Sequence, residues 1–191
     1  MEYESSLYIN SIRKLWNNYY KNNIHKNIIN IDINLDYYKN ILSEAEKGNL
    51  LHWLNDSESY FSYIVLMFFI SKNIYKDEKY FINDYKTQLF IEMGIENYKN
   101  VFNIHEIITI LSTSYAYSEN INYQKYALKI LSECCQNNNY TIEEINLVKH
   151  CKYKINKNIK ILEKFKRFPE RNYLLGRIST EDEIDYLDDK F

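Results

Sequence analysis

Apolar residues recur every three to four positions along most of the chain, and polar residues occupy the positions between them. This spacing is typical of amphipathic helices, whose apolar face packs against neighbours. We therefore predict an all-α protein of seven to eight helices, packed as antiparallel neighbours because the connections are short. The stripes behind this prediction are Tyr8, Ile12, Leu15 and Tyr19; Leu35, Tyr38, Leu42 and Ala45; Phe81, Tyr85 and Leu89; Ile104, Ile107, Leu111 and Tyr115; Tyr126, Ile130 and Cys134; and Ile145, Val148, Ile155, Ile159 and Leu162.

One apolar run, from Tyr60 to Ile70, has no polar face. A helix that is apolar all round is covered by neighbours on every side, so this run predicts the central helix of the fold. It is much shorter than the roughly 20 residues that a membrane helix needs, and no membrane segment is expected. The alternation of Ile29, Ile31 and Ile33 is too short to require a sheet and is interpreted as an extended linker.

Capping residues predict where helices begin and end. Gly48 and Gly94 are expected to end the second and fourth helices, because glycine readily adopts the left-handed conformation that follows many helix C-termini. Helices are expected to begin near Ser5, Asp56 or Ser57, Asp77 and Asn122. An N-cap residue followed three positions later by Glu is the spacing of a capping box. That spacing occurs at Asn103 with Glu106, Thr141 with Glu144 and Thr180 with Glu183.

Composition and charge indicate the number of domains, the cellular location and the kind of genome that encodes the chain. The chain has 191 residues, a formal net charge of −2, 20 tyrosines, three glycines and one proline. No Gly-rich or Ser-rich linker divides it, so a single domain over residues 1–191 is predicted. No basic-then-apolar leader follows Met1 and the three cysteines form no disulfide pattern, which favours a cytoplasmic location. The excess of Asn, Ile, Lys and Tyr is typical of an AT-rich genome.

The common enzyme motifs do not occur in this sequence. It contains no P-loop, no GxSxG, no HExxH and no dinucleotide-binding glycine pattern, so no cofactor is expected and an enzymatic role stays open. Cys134, Cys135, His150 and Cys151 could approach one another on neighbouring helices. Vicinal cysteines make poor tetrahedral ligands, so burial in the core is preferred and no metal site is predicted.

A basic face runs along the longest predicted helix, which begins at Thr141. Lys149, Lys152, Lys160 and Lys164 lie away from its apolar stripe. Such a face could bind RNA, with tyrosines available for stacking. A solvated helix face, neutralised by the acidic segment 181–189, explains it with fewer assumptions. A nucleic-acid partner is therefore not expected.

The densest motif runs from Lys166 to Thr180 and contains the single proline and three arginines. Pro169 cannot continue the preceding helix and favours an extended Phe168. Gly176 can adopt a positive φ, and Thr180 then caps the last helix. Arginines on such a turn could bind a carboxylate or phosphate through paired hydrogen bonds. The alternative is that they form internal ion pairs, which are the more common arrangement.

This segment resembles the C-terminal motif of a bacterial family, domain of unknown function 924, which reads R-F-G-R-F-P-H-R-N-x-x-L-G-R-x-S-T-x-x-E. The matching residues are Phe165, Arg167, Phe168, Pro169, Arg171, Asn172, Leu175, Gly176, Arg177, Ser179, Thr180 and Glu183. The segment 44–50 with Trp53 is similar to the family's A-x-x-G-x-L-x-x-W. Ser118 and Glu119 with Gln124 are similar to its M-H-S-E-x-x-x-x-Q. The resemblance implies a tetratricopeptide-like helical bundle and no established activity.

The chain departs from the family pattern where that pattern has histidine. Tyr117 stands at the histidine of M-H-S-E, Asn158 at a histidine upstream of the C-terminal motif, and Glu170 at the histidine after the proline. Where the family has L-L-D-Q-F-P-R-N, residues 67–73 keep only Asn73 and a basic residue. Acid–base or metal chemistry that used those histidines is therefore not expected.

The polar residues that remain define the predicted ligand-binding site. They are Asn73, Glu119, Gln124, Arg171, Asn172 and Arg177. If they converge, they form a neutral-to-basic pocket; the alternative is a buried network that holds helices in register. The first functional hypothesis is a non-catalytic helical module that binds a peptide or protein partner in a groove. The alternative is an enzyme or small-ligand binder that uses Glu119 with Arg171 and Arg177 on an anionic substrate.

Overall fold

The computed structural model describes residues 2–20, 34–76, 78–111, 115–135 and 140–189. In these residues the chain forms eight helices and no strand, as the hydrophobic pattern predicts. The linker assigned to Ile29, Ile31 and Ile33 and the cap assigned to Asp77 lie outside the described residues. The helices are α1, Glu2–Leu15, continued by a π-helical turn at Trp16–Tyr20; α2, Leu35–Glu46; α3, Ser57–Val65, continued by a π-helical turn at Leu66–Ile70 and a last turn at Ser71–Ile74; α4, Asp84–Tyr98; α5, Ile104–Ile110; α6, Ile121–Cys134; α7, Ile142–Phe165; and α8, Glu181–Asp188. Short 3-10 helices lie at Leu51–Asn55, Glu78–Phe81 and Pro169–Arg171.

Helix α3 occupies the centre of the fold. Every residue from Tyr60 to Ile70 is buried, which confirms the prediction of a helix covered on all sides. The π-helical turn at Leu66–Ile70 forms the end of this run, and the polar residues Ser71, Lys72 and Asn73 in the helical turn that follows are buried as well. Helix α3 therefore carries a polar end into the protein interior, where burial of a charge requires partners. In the described part of the chain, no helix is both long and apolar enough to cross a bilayer.

Most predicted helix ends are confirmed. Gly48 ends α2 with a φ of 85°, and Asp56 caps α3 by accepting from two backbone N–H groups. The predicted capping boxes are present at the starts of α5, α7 and α8. Helix α6 begins at Ile121, slightly earlier than predicted, because Asn120 rather than Asn122 is its N-cap.

Gly94 does not end α4, contrary to the prediction, since the helix continues to Tyr98. A Cβ at position 94 would clash with the ring of Tyr60. Glycine is present at this position because α3 and α4 approach each other closely there, and a larger side chain would overpack the core. A packing requirement, rather than a helix end, therefore explains this glycine.

Helix α6 packs along α7, and their short connection makes them antiparallel neighbours. Val148, Ile155 and Leu162 of the α7 stripe are buried as predicted. Ile145 is 41% exposed and does not face inward, contrary to the prediction. Ile142 is 80% exposed as well, so the first turn of α7 extends beyond the apolar core.

A left-handed residue at the end of α7 directs the chain into the C-terminal turn, defined as residues 166–180. Lys166, which stands at the glycine of the family's R-F-G-R-F, has a φ of 63°. Phe168 is extended before Pro169, and Gly176 has a φ of 62°, as predicted. Phe168 packs with Ile161 and Leu162 in a small cluster of buried residues separate from the main core. The turn is therefore anchored to α7 by its own apolar contacts.

Candidate functional site

Two of the three arginines on the C-terminal turn are paired with carboxylates inside the protein. Arg167 donates from Nε and Nη2 to Glu183 at 2.6 and 2.7 Å, and from Nη2 to the Ile178 carbonyl at 2.9 Å. Arg177 donates from Nη1 and Nη2 to Glu119 at 2.9 and 2.8 Å. Paired hydrogen bonds of this kind are among the strongest that side chains form. They connect the turn to α8 on one side and to the segment before α6 on the other.

Glu183 is the centre of the first of these contacts. Besides Arg167, it accepts from the Thr180 backbone N–H at 2.9 Å and from Asn172 Nδ2 at 3.2 Å. The hydrogen bonds from Arg167 are the main reason that the pKa of Glu183 is lowered to about 2. Asn172 also donates to Ser179 Oγ at 3.0 Å. The hydrogen bonds of Asn172 thus serve the internal structure of the turn.

Glu119 is the centre of the second contact. Its Oε1 also accepts from the Phe168 backbone N–H at 2.9 Å. Burial is the largest single influence on the pKa of Glu119 and raises it, but the hydrogen bonds from Arg177 and Phe168 together hold that pKa below its usual value. Gln124 is fully buried nearby in sequence and donates to the Ser118 carbonyl at 2.8 Å. Gln124 therefore fixes the segment that carries Glu119.

Asn73, the remaining predicted residue on α3, is also engaged with the backbone. Its Nδ2 donates to the Phe69 carbonyl at 2.9 Å, four residues earlier in the same helix. Its side chain is buried at the polar end of α3. This hydrogen bond satisfies a carbonyl group within the π-helical turn, where the regular helical pattern is interrupted.

Arg171, the third arginine of the turn, has aromatic rings as neighbours instead of carboxylates. Its guanidinium carbon lies 4.9 Å from the ring centre of Phe81, 5.4 Å from that of Tyr117 and 4.6 Å from that of Phe168. Among the residues that the structure describes, no acceptor forms a hydrogen bond or ion pair with this side chain. Burial lowers the pKa of Arg171, although a guanidinium keeps its proton in proteins.

Lys72 lies behind Arg171 and shares two of its rings. The Nζ atom is 4.8 Å from the ring centre of Phe81 and 5.5 Å from that of Tyr117. It also lies 4.7 Å from the ring centre of Phe68 and 4.3 Å from that of Tyr80. Two cations therefore contact one group of aromatic side chains. Attraction between a cation and a ring face contributes about 0.5–2 kcal/mol, more where water is excluded.

The charge of Lys72 is balanced within the protein. Its Nζ donates to Asp84 Oδ1 at 2.6 Å and to the Tyr80 carbonyl at 3.0 Å, and the Lys72 side chain is fully buried. Burial lowers the pKa of Lys72 and raises the pKa of Asp84, while their mutual attraction opposes both changes. Asp84 Oδ2 is buried without a hydrogen-bond partner among the described residues. This pair is thus a costly arrangement, held in place by the surrounding rings.

A pocket of about 440 Å³ opens beside Arg171. It is lined by Ala116, Tyr117, Lys154, Asn158, Phe168, Glu170 and Arg171. Asn158 Nδ2 donates to the Ala116 carbonyl at 2.8 Å and so ties α7 to the opposite wall. Tyr117, Asn158 and Glu170 are the three positions at which the sequence departs from the family's histidines. The structure therefore gathers all three departures around one pocket, next to an arginine that matches the family motif.

The six residues predicted from the sequence do not converge on this pocket. Only Arg171 lines it. Glu119 and Arg177 form an ion pair with each other. The other three form hydrogen bonds with backbone or side-chain groups nearby in sequence; they are Asn73, Gln124 and Asn172. Their role in ligand binding remains a prediction. Sequence reasoning did not select the lining residues Lys154, Asn158 and Phe168. The lost histidines were the signal that could have identified Asn158, together with Tyr117 and Glu170, as lining residues of one pocket.

Other parts of the described chain offer weaker candidates for a ligand-binding or metal site. A pocket of about 550 Å³ is lined by residues of α1 and of the 3-10 helix Leu51–Asn55, together with Asn49, Asp56, Glu58 and Ser59. The Asp56 carboxylate there is engaged in capping α3, so it is not available as a ligand-binding group. In the described residues, no group of three or more His, Cys, Asp or Glu side chains is placed to hold a metal ion.

Comparison with known proteins identifies the family. The model of the family described as "Bacterial protein of unknown function (DUF924)" matches residues 13–190. The chain belongs to this family. A solved structure of a protein of unknown function from Agrobacterium tumefaciens is similar to this DUF924 protein, with a TM-score of 0.64 and 19% identity over 81% of each chain. At that identity the likeness shows a shared fold alone. No curated protein matches the chain.

Proposed function

We propose that this DUF924 protein binds a small anionic ligand in the pocket beside Arg171. The observation that supports the proposal is a partly buried guanidinium with three aromatic neighbours and, within the described residues, no acceptor. A buried charge is costly unless it is paired, and the other two arginines of the C-terminal turn have carboxylate partners. An anion in the pocket would give Arg171 the hydrogen-bond acceptor that the described residues do not supply.

The residues around the pocket favour binding over acid–base catalysis. Imidazole is the usual group that gains and loses a proton near neutral pH, and the three family histidine positions hold Tyr117, Asn158 and Glu170. Burial raises the pKa of Tyr117, so its hydroxyl remains a hydrogen-bond donor at neutral pH. Burial lowers the pKa of Lys154, so this lysine would be the proton acceptor of the enzymatic alternative. The proposal is therefore a binding protein, and the enzymatic alternative would require a proton acceptor other than histidine.

A peptide or protein partner, the first hypothesis from the sequence, is kept as a second candidate. Exposed apolar side chains on the C-terminal turn favour it, since Tyr173 is 93% and Ile178 91% exposed. Exposed aromatic and aliphatic residues that lie close together are a common feature of contact surfaces. A cytoplasmic location and a tetratricopeptide-like arrangement also remain part of the proposal. The free thiols of Cys135 and Cys151 are consistent with a reducing compartment.

Thermal shift measurements with a panel of anions test the small-ligand proposal. The panel contains acetate, benzoate, 3-phenylpropanoate, inorganic phosphate and phenyl phosphate. At least one of them is expected to raise the melting temperature of the wild-type protein, because a ligand that binds only the folded state stabilises it. Arg171→Met should abolish that increase.

Lys164→Met is the matched control for this experiment. It removes the same charge and introduces the same residue, and Lys164 also contacts a ring, with Nζ 4.7 Å from the centre of Phe165, but it does not line the pocket. This variant should respond to the anions as the wild type does. The proposal is contradicted if no anion stabilises the wild type, or if Arg171→Met responds equally.

A further inference from the structure

We infer that the ligand of the Arg171 pocket is a monocarboxylate with a planar apolar body, and not a phosphate or another dianion. This inference rests on the proposed function and specifies the chemical class of its ligand. Three properties of the pocket carry it: the balance of charge, the donor geometry of the arginine, and the nature of the walls.

The pocket has one positive charge in excess. Its charged lining residues are the two cations Lys154 and Arg171 and the single carboxylate Glu170. Interactions among these three residues do not change their summed charge. One negative charge on a ligand would neutralise it, whereas two would leave the occupied pocket with an excess negative charge in a partly desolvated site.

Two ion pairs among the described residues behind the lining do not alter this balance. Lys72 is paired with Asp84 at 2.6 Å, and Arg177 is paired with Glu119 at 2.8 Å. Each pair contributes one positive and one negative charge and therefore no net charge. Both carboxylates already interact favourably with Arg171, which reduces its capacity to attract a second negative charge.

Arg171 has the donor geometry that a carboxylate requires. A guanidinium presents its N–H groups in a planar fork that matches the two oxygens of a carboxylate. In the described residues no acceptor occupies these donors, because the neighbours of Arg171 within the pocket wall are the rings of Tyr117 and Phe168. Tyr117 can add a hydroxyl donor, since burial keeps it protonated.

The uncharged residues of the pocket wall determine which non-ionic part of a ligand fits. Ala116, Tyr117 and Phe168 line the pocket, and aromatic walls favour a planar apolar group by stacking and by removing it from water. A volume of about 440 Å³ lies in the range of small-molecule sites. Glu170, an exposed residue of the lining, would repel a second negative charge on the ligand.

Isothermal titration calorimetry with three matched probes tests the inference on the full chain. The probes are 3-phenylpropanoate, phenyl phosphate and the neutral 3-phenylpropanamide. At roughly pH 8 phenyl phosphate is a dianion, because the second pKa of such groups is near 6. The carboxylate is expected to bind at least about tenfold more tightly than either other probe. Arg171→Met should remove its advantage over the amide, and Lys164→Met should keep it.

Glu170→Gln provides a second test of the charge argument. This change raises the lining charge by one, so phenyl phosphate should gain affinity relative to the carboxylate by several fold, or about an order of magnitude at most. An unchanged ratio between the two probes in Glu170→Gln overturns the charge argument and with it the inferred ligand class.

The outcomes separate the inference from the proposed function. If phenyl phosphate binds the wild type as tightly as the carboxylate or more tightly, and Arg171→Met loses that binding, the ligand class is wrong and the proposed anion site stands. If the amide binds as well as the carboxylate, or if Arg171→Met binds all probes normally, the proposed site itself is wrong. Preferential, Arg171-dependent binding of the carboxylate supports both.

Discussion

The two sides of the C-terminal turn use the same residue type for different purposes. On one side, Arg167 and Arg177 each place two N–H donors on a carboxylate, at distances of 2.6–2.9 Å. On the other side, Arg171 contacts rings at 4.6–5.4 Å and, in the described residues, has no acceptor. All three match the family motif equally well. The partner that folding supplies, and not the residue type, therefore separates structural arginines from a candidate binding arginine.

The two sides also differ in how folding affects their ionisable groups. Folding lowers the pKa values of Glu119 and Glu183, which means that their charged forms are favoured in the folded state. Next to Arg171, burial lowers the pKa of Lys72 and raises that of Asp84, so their charged forms are disfavoured. The paired side thus supports stability, whereas the ring-lined side costs stability. Sites that bind ligands often carry such a cost.

The largest effect is expected from Glu183→Gln, which disrupts the contact with four donors. The folded pKa of Glu183 is about 2 and its ordinary value is 4.5. Its stabilising contribution is therefore complete above pH 4.5 and is lost as the pH falls toward 2. Urea unfolding should show that the variant is much less stable than the wild type near neutral pH, with the difference shrinking as the pH falls. A difference that does not depend on pH would contradict this origin.

Glu119→Ala is expected to lower the free energy of unfolding by about 2 kcal/mol, because hydrogen bonds to charged groups contribute about 1.5–3 kcal/mol. It leaves Arg177 and the Phe168 N–H without their acceptor. Urea denaturation at neutral pH measures the loss. Glu163→Ala, at an exposed position of α7, is the control and should change stability by less than about 0.5 kcal/mol. Equal effects of the two changes would remove the structural role assigned to Glu119.

Lys166→Gly is expected to raise the free energy of unfolding by about 1 kcal/mol. Its φ of 63° is unfavourable for a residue with a Cβ, at a cost of roughly 1–2 kcal/mol, and glycine avoids that cost. Lys164→Gly, two positions earlier within α7, should instead lower stability by about 0.5–1 kcal/mol. Urea denaturation of both variants compares them, and changes of the same sign would show that the left-handed conformation is not the cause.

The smallest change in stability is expected from Arg171→Met, at about 0.5 kcal/mol or less in either direction. Methionine can keep the contacts with the surrounding rings, and the substitution removes a buried charge that has no acceptor within the described residues. Chemical denaturation and anion binding should be measured on the same preparation. A loss of stability as large as that of Glu119→Ala would show that Arg171 is a structural arginine, and would contradict the distinction drawn between it and the other two.

Particular residues show which structural features can be predicted from the sequence and which cannot. The capping boxes at Asn103, Thr141 and Thr180 and the left-handed Gly48 were predictable because the interacting groups are separated by only three or four positions. Gly94 was misinterpreted because its neighbour Tyr60 belongs to a different helix. Ile145 was misplaced because periodicity does not indicate where a long helix extends beyond the core.

The amino-acid sequence alone determined that this protein is all-helical, where most helices begin and end, and which family it resembles, because these depend on local periodicity, capping and motif spacing. Tertiary structure alone decided which arginine of the C-terminal turn has no carboxylate partner among the described residues. Arg177 meets Glu119 across 58 positions and Arg167 meets Glu183 across 16, and such partners are chosen by the packing of helices. The same packing brings Tyr117, Asn158 and Glu170 to one pocket, since residues far apart in the chain become neighbours only when the core forms.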